Sequence, residues 1–182
     1  MKIAFRLTCI FLLGLSVSCI RQSPQQGNEA QPQKASNANN RGTEVAKSSG
    51  ERATPAEAKA MLQQAVVHYQ AVGRKQALAD FTGKKPPFVD RDLYVACIGP
   101  DHIIIANGGF PSLVGTSADG WKDADGRSVG KATWEAVSIT GEGSVEYRWF
   151  NPVFHKIEPK VFFVQKVGDD ICGVGAYNAQ QK

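Results

Sequence analysis

Asp92-Leu93-Tyr94-Val95-Ala96-Cys97-Ile98, Gly99-Pro100-Asp101 and His102-Ile103-Ile104-Ile105-Ala106 follow one another without a break. Two apolar runs on either side of a turn tripeptide predict a hairpin, with strands over 92–98 and 102–106. Upstream of it the period is helical. Thr54-Pro55-Ala56-Glu57 is a capping box: Thr caps, Pro takes the first helical position and Glu reaches back. Ala58, Leu62, Ala65, Tyr69 and Val72 recur at alternating steps of four and three, which makes one apolar helix face. Gly73 interrupts that face. A second short helix through Ala77, Leu78 and Phe81 is expected to end at Gly83 as a left-handed cap.

Downstream, Asn107-Gly108-Gly109 breaks the hairpin, and a glycine- and aspartate-rich connection runs through Trp121 to Gly126. Residues 127–138 predict a helix with Val129, Ala132, Ala136 and Val137 on one side. Three strands follow over 144–149, 160–167 and 171–177, with turns at Asn151-Pro152 and Gly168-Asp169-Asp170. This order predicts an α+β domain, an antiparallel sheet with helices on one face or end. There is no internal repeat.

The chain has 182 residues, 42% hydrophobic and 21% charged, which suits one domain with a tail. Its formal charge is +4, and the excess falls to +2 without Lys2 and Arg6. No basic run with interleaved aromatics occurs, so no nucleic-acid partner is expected. Residues 1–18 read as a signal peptide. Lys2 and Arg6 give a positive start, and the apolar core over 7–15 is well short of the ~20 residues of a membrane-spanning helix. Ser16 and Ser18 precede Cys19 in a pattern that resembles a bacterial lipoprotein, with Ser16 where that pattern has Leu. Two readings stand: lipid attachment at Cys19, or ordinary cleavage after Ser18 and a soluble exported protein. Residues 19–53 are polar and carry little apolar side chain, so they read as a disordered tether with a reach of about 30 Å. The foldable part is 54–178, with a C-terminal tail over 179–182.

Cys9 leaves with the signal, and Cys19 is used if lipidated. Cys97 and Cys172 remain. An even remainder in an oxidising compartment favours a disulfide, and two buried free thiols are the alternative. No C-x-x-C spacing is present, and neither metal nor cofactor is expected. Asp119, Asp123 and Asp125 lack the other ligands of a calcium loop, so a turn leading into a helix cap is the better reading. Asn107 reads as a turn residue. His68, His102 and His155 are far apart, and no nucleophile motif or phosphate-binding glycine loop occurs. Nothing argues for an enzyme, and no catalytic residue is assigned.

Seven stretches in order carry a family likeness. They are Ala77-Leu78-Ala79-Asp80-Phe81; Phe88-Val89; Asp92-Leu93-Tyr94-Val95; the run from Gly109 to Gly115; Asp123-Ala124-Asp125-Gly126-Arg127; Glu146 to Pro152 with Glu158-Pro159-Lys160; and Gly173-Val174-Gly175-Ala176-Tyr177. Together they resemble the single Cache domain, a PAS-like sensor module of the outer side of bacterial receptors. The likeness spans 54–177. It departs at Phe110, where the family has Asn before Pro, and at Cys172-Gly173.

The resemblance implies a five-stranded antiparallel sheet of order 2-1-5-4-3, with the long N-terminal helix packed on one face. Cys97 and Cys172 then fall on adjacent strands, which implies a cross-strand disulfide. Leu93, Val95, Val174 and Ala176 would share the helix-covered face with the cysteines. Tyr94, Ala96, Ile98, Gly173, Gly175 and Tyr177 would face the other way, the two glycines leaving a concavity for a small ligand. The implied ligand-binding set is Tyr94, Arg148, Trp149, Asn151, Lys160 and Tyr177. Arg148 offers a planar fork, Lys160 a point charge, and Trp149 and Tyr177 apolar walls. The alternative is an exposed Arg148 and Lys160 with Trp149 in the core. The expected function is extracytoplasmic binding or sensing of a small organic anion or amino acid, on a lipid-anchored envelope protein. With no spanning helix or output domain in view, the expected signalling partner is a separate membrane receptor or kinase. The alternative function is a structural or protein-interaction envelope lipoprotein with no ligand.

Overall fold

The computed structural model describes residues 51–177. The readings of the signal peptide, Cys19, the tether up to residue 50 and the tail from residue 178 lie outside the described residues. Helix α1 (Pro55–Val72) starts at the expected capping box, with both reciprocal hydrogen bonds between Thr54 and Glu57 formed. It buries Ala58, Met61, Leu62, Ala65 and Val66. Tyr69 is only partly covered, its hydroxyl donating to Asp170 at 2.7 Å, and Val72 is exposed. Gly73 separates it from α2 (Arg74–Thr82) with a φ of 82°, a conformation only glycine adopts freely. The left-handed cap expected at Gly83 is absent: Gly83 has φ −73°, and Lys84, at φ 58°, makes the left-handed turn.

The strands are β1 (Val89–Asp90), β2 (Leu93–Ile98), β3 (Ile104–Asn107), β4 (Glu142–Asn151), β5 (Lys156–Val167) and β6 (Asp170–Tyr177). Helix α3 (Val129–Val137) lies between β3 and β4, capped by the Ser128 side chain. The sheet runs β1-β2-β6-β5-β4, with β3 also paired to β2, and every pairing is antiparallel. Leaving β1 aside, this is the expected 2-1-5-4-3 order. The sixth strand, β1, is two residues long and pairs with the start of β2, too short to give a periodic signal. Strands β4 and β5 continue past their expected ends into a hairpin that closes around Asn151. Ile157 and Phe150 sit opposite each other there and are exposed, so burial gave no cue to the extension.

Two apolar layers fill the domain. One joins α1, α2 and the helix-facing side of the sheet, and includes Leu93, Val95, Cys97, Cys172, Val174 and Ala176. These are the residues expected on that face. Cys97 and Cys172 are directly opposed and joined by a disulfide. The second layer, on the other face, joins Ala96, Ile98, Ile171, Phe162 and Val164 to α3, Trp121, Val145 and Tyr147. The packed chain begins before Thr54: Ala53 is buried and its N–H donates to Asp92 Oδ1 at 3.0 Å. Arg52 forms a two-pronged pair with Glu158 at 2.6 and 2.7 Å. Polar long-range contacts hold these two residues, which apolar periodicity cannot register. Among the described residues no helix is long and apolar enough to cross a membrane.

Candidate functional site

Strand register builds the site. Lys160 on β5 lies between Tyr147 on β4 and Tyr177 on β6, all on the face away from α1. Tyr94 on β2 is on the same face. Gly173 and Gly175 were expected to open a hollow there, and that expectation is corrected. A Cβ at Gly173 would lie 2.5 Å from Cζ of Phe162, and one at Gly175 would overlap Cε of Lys160. The glycines are therefore covered, by an aromatic ring and by the lysine stem. What Gly175 provides is a passage through which the stem reaches Tyr94.

The Lys160 ammonium is buried. Nζ donates to Tyr94 Oη at 2.7 Å and to Tyr177 Oη at 3.4 Å. It also sits over both phenol rings, 4.0 Å from the Tyr94 centroid and 4.4 Å from that of Tyr177. The two hydroxyls are 3.3 Å apart, and Tyr177 Oη donates to the Phe150 carbonyl at 2.8 Å. The protons thus run one way: lysine to Tyr94, Tyr94 to Tyr177, Tyr177 to backbone. No carboxylate among the described residues lies within ion-pair reach of Nζ. Burial pushes the ammonium well below the ordinary lysine value, with distant Asp92 opposing. The same burial pushes the Tyr94 and Tyr147 phenols far up.

Of the expected ligand set, Tyr94, Lys160 and Tyr177 converge, and Trp149 stands at their margin. Trp149 is half-buried on this face, 6.0 Å from both the Phe110 and Tyr147 rings and 5.6 Å from Trp121. Arg148 does not join them. Strand alternation turns it to the opposite face, exposed, where it pairs with Asp125 at 3.1 Å. Asn151 does not join them either. Its amide nitrogen bridges Asp92 and Glu158 at 3.2 and 3.1 Å, and its oxygen accepts from the N–H groups of Val153 and Phe154. It is a buried clamp for the hairpin turn. Burial opposes ionisation of Glu158, yet Arg52 and Lys156 hold its carboxyl below the usual range.

Tyr147 and Phe110 are the members that sequence reasoning missed. The alternation Val145, Tyr147, Trp149 was a usable signal for the first. Phe110 lies in a loop, and its ring packs edge-on to Tyr94 at 5.8 Å. The side chain of Asn107 fixes that loop, its Oδ1 accepting from the N–H groups of Gly109 and Phe110. The aspartates are dispersed: Asp123 Oδ1 accepts from the N–H groups of Asp125 and Arg127, and Asp119 pairs with His102. No metal-holding cluster occurs among the described residues.

Three solved structures share the fold. One is a methyl-accepting chemotaxis protein from Vibrio parahaemolyticus, 20% identical, covering 67% of this chain and 86% of that one, with a TM-score of 0.58. A second is a Cache chemosensory domain described for carboxylic acid recognition, 25% identical, covering 67% and 86%, with a TM-score of 0.52. The third is the periplasmic sensor domain of a chemotaxis protein, 19% identical, covering 67% and 88%, also at 0.52. No curated protein matches the chain. The family model for single Cache domain 2 matches residues 43–177, and the chain belongs to that family.

Proposed function

We propose that this domain is an extracytoplasmic sensor module that captures a small organic carboxylate at Lys160. The supporting observation is the lysine itself: a buried amino group over two phenol rings, with no carboxylate of the described residues to balance its charge. Burying a charge without its counterion is expensive, and a group so perturbed in a domain interior is a candidate functional group. An incoming carboxylate supplies the counterion, accepting from Nζ. The Cache domain described for carboxylic acid recognition supports this ligand class. Location outside the cytoplasm is supported by the signal-like start of the chain and by the periplasmic relative. Lipid attachment at Cys19, with signalling through a separate membrane receptor or kinase, completes the reading. Calorimetric titration with acetate, and with the uncharged acetamide as control, tests it. Binding of acetate alone, lost in Lys160→Met, is the expected result. Equal indifference to both would remove the reading.

A second reading is a structural or interaction envelope protein without a ligand. The covered glycines and the outward Arg148 favour it, because both subtract from the expected hollow. Acetate binding separates the two readings.

A further inference from the structure

Three of the seven large apolar side chains left exposed among the described residues stand at one hairpin end: Phe150, Val153 and Ile157. Phe150 and Ile157 are directly opposed across β4 and β5, and Val153 lies in the turn between those strands. Among the described residues β6 stops at Tyr177, opposite Lys160, so residues 156–159 pair with β4 alone. The hairpin therefore overhangs the sheet by about 13 Å, at ~3.3 Å per residue. Its apolar side chains lie past the end of the core, and none of the three belongs to either apolar layer.

The turn is pinned and its exposed charge is basic. Asn151 Oδ1 accepts from the N–H groups of Val153 and Phe154, and the N–H of His155 donates to the Asn151 carbonyl at 2.9 Å. Between Trp149 and Lys160 the one acid is Glu158, which is buried and held by Arg52, Lys156 and Asn151. The charge that reaches solvent is the Lys156 ammonium, its side chain 59% exposed.

The chain itself sets what this end faces. Arg52 lies against the hairpin: its guanidinium is 4.1 Å from the Phe154 ring centroid and pairs with Glu158. The segment leading back to Cys19 thus joins the domain beside the apolar tip. A patch next to that join needs little affinity of its own, since a tether turns a second contact into an intramolecular one.

We propose that the β4–β5 hairpin end is a membrane-docking surface, with an anionic phospholipid layer as its occupant. Phe150, Val153 and Ile157 enter the boundary between headgroups and acyl chains, and Lys156 stays among the phosphates. The inference goes beyond ligand capture and takes from the proposed function only the lipid at Cys19, which brings the membrane to this end of the domain.

The test is fluorescence quenching of the full chain carrying Ile157→Trp, on vesicles of phosphatidylglycerol and phosphatidylethanolamine with brominated acyl chains. The substitution keeps the patch apolar and puts the reporter in it, so the signal reads the hairpin whatever the residues before Arg52 do. The parent chain gives the background of the three native tryptophans. The new indole should shift to the blue and be quenched. Adding Phe150→Ser and Val153→Ser should lower the ratio of quenched to unquenched emission about 10–100-fold. Adding Lys156→Gln should lower it about fivefold. Val153→Trp is the second reporter if the first variant folds poorly. An indole that stays unshifted and unquenched overturns the proposal, as does quenching that survives the serine changes in full. A shift that needs no vesicles and grows with protein concentration also overturns it, and assigns the patch to a second copy of this chain. Acetate binding is read separately, so its absence removes the ligand reading and leaves this surface standing.

Discussion

Gly175 lies beneath the Lys160 stem so closely that a Cβ on the glycine would overlap the lysine Cε. The glycine is an opening in one strand through which the next strand sends its charge. Gly175→Ala therefore forces the stem off its path toward Tyr94. Adding a methyl to a filled interior costs about 1–3 kcal/mol, visible as a lower melting temperature. The ammonium also leaves its phenol partners, so acetate affinity falls at least about tenfold for a loss of ~1.4 kcal/mol. Unchanged acetate affinity in this variant would mean that the lysine does not need the passage.

Lys160→Met trades the site for stability. Burial favours the neutral amine, so between the lowered folded value and the ordinary 10.5 the folded protein holds fewer protons than the unfolded chain. Stability therefore rises with pH across that window, and below it the full penalty of charging or desolvating the amine is present. Methionine keeps the stem and removes the charge. The variant should gain about 1–2 kcal/mol at neutral pH, lose the pH slope and bind no acetate. In the parent chain, acetate binding favours the protonated amine, so affinity weakens as pH rises. Chemical denaturation at several pH values, with calorimetry beside it, checks both signs. A less stable Lys160→Met at neutral pH contradicts the argument.

The fold was legible because its signals are local. The capping box at Thr54, the Gly99-Pro100-Asp101 turn and the closing glycine-rich strand each follow from short-range chemistry, and family order supplied the strand sequence. The site was only half legible. Tyr94 and Tyr177 were placed on one face because period-two alternation assigns faces once the register is known, whereas Lys160 entered through the family resemblance alone. Arg148 was misplaced because its charge outweighed its parity: it alternates with Tyr147 and Trp149 and so must face the other way. Asn151 is a polar residue at a hairpin end, and the sequence does not distinguish a ligand contact from a clamp between Asp92 and Glu158. The glycine hollow failed for a different reason. A glycine records missing side-chain volume, but what fills that volume belongs to the neighbouring strand.

The disulfide closes a long loop. Cys97 and Cys172 are 75 residues apart, and the loop-entropy model assigns such a bond about 4 kcal/mol. The bond joins the two central strands beneath α1, so its loss loosens the middle of the sheet. The double variant Cys97→Ala, Cys172→Ala should fold with a denaturation midpoint lowered to match, and it avoids free thiols. Intact mass of the parent chain should rise by two protons on reduction. An unchanged mass or an unchanged midpoint counts against the bond.

The four tyrosines give the most direct probe of the interior. Burial and then the hydrogen bond to Asp170 push Tyr69 up to about 12. Burial also raises Tyr94, Tyr147 and Tyr177 above the ordinary 10.0. A phenol raised in the folded state contributes stability that is whole below the unfolded value and is lost as pH climbs through the folded one. Ultraviolet titration of the folded chain should therefore show no phenolate near pH 10, where the unfolded chain ionises. The first step belongs to Tyr69 near 12, and the other three should ionise only as the domain unfolds. Phe replacements assign each step. A phenolate appearing near 10 that Tyr94→Phe or Tyr177→Phe removes would place that hydroxyl in water, and the buried cluster around Lys160 would be wrong.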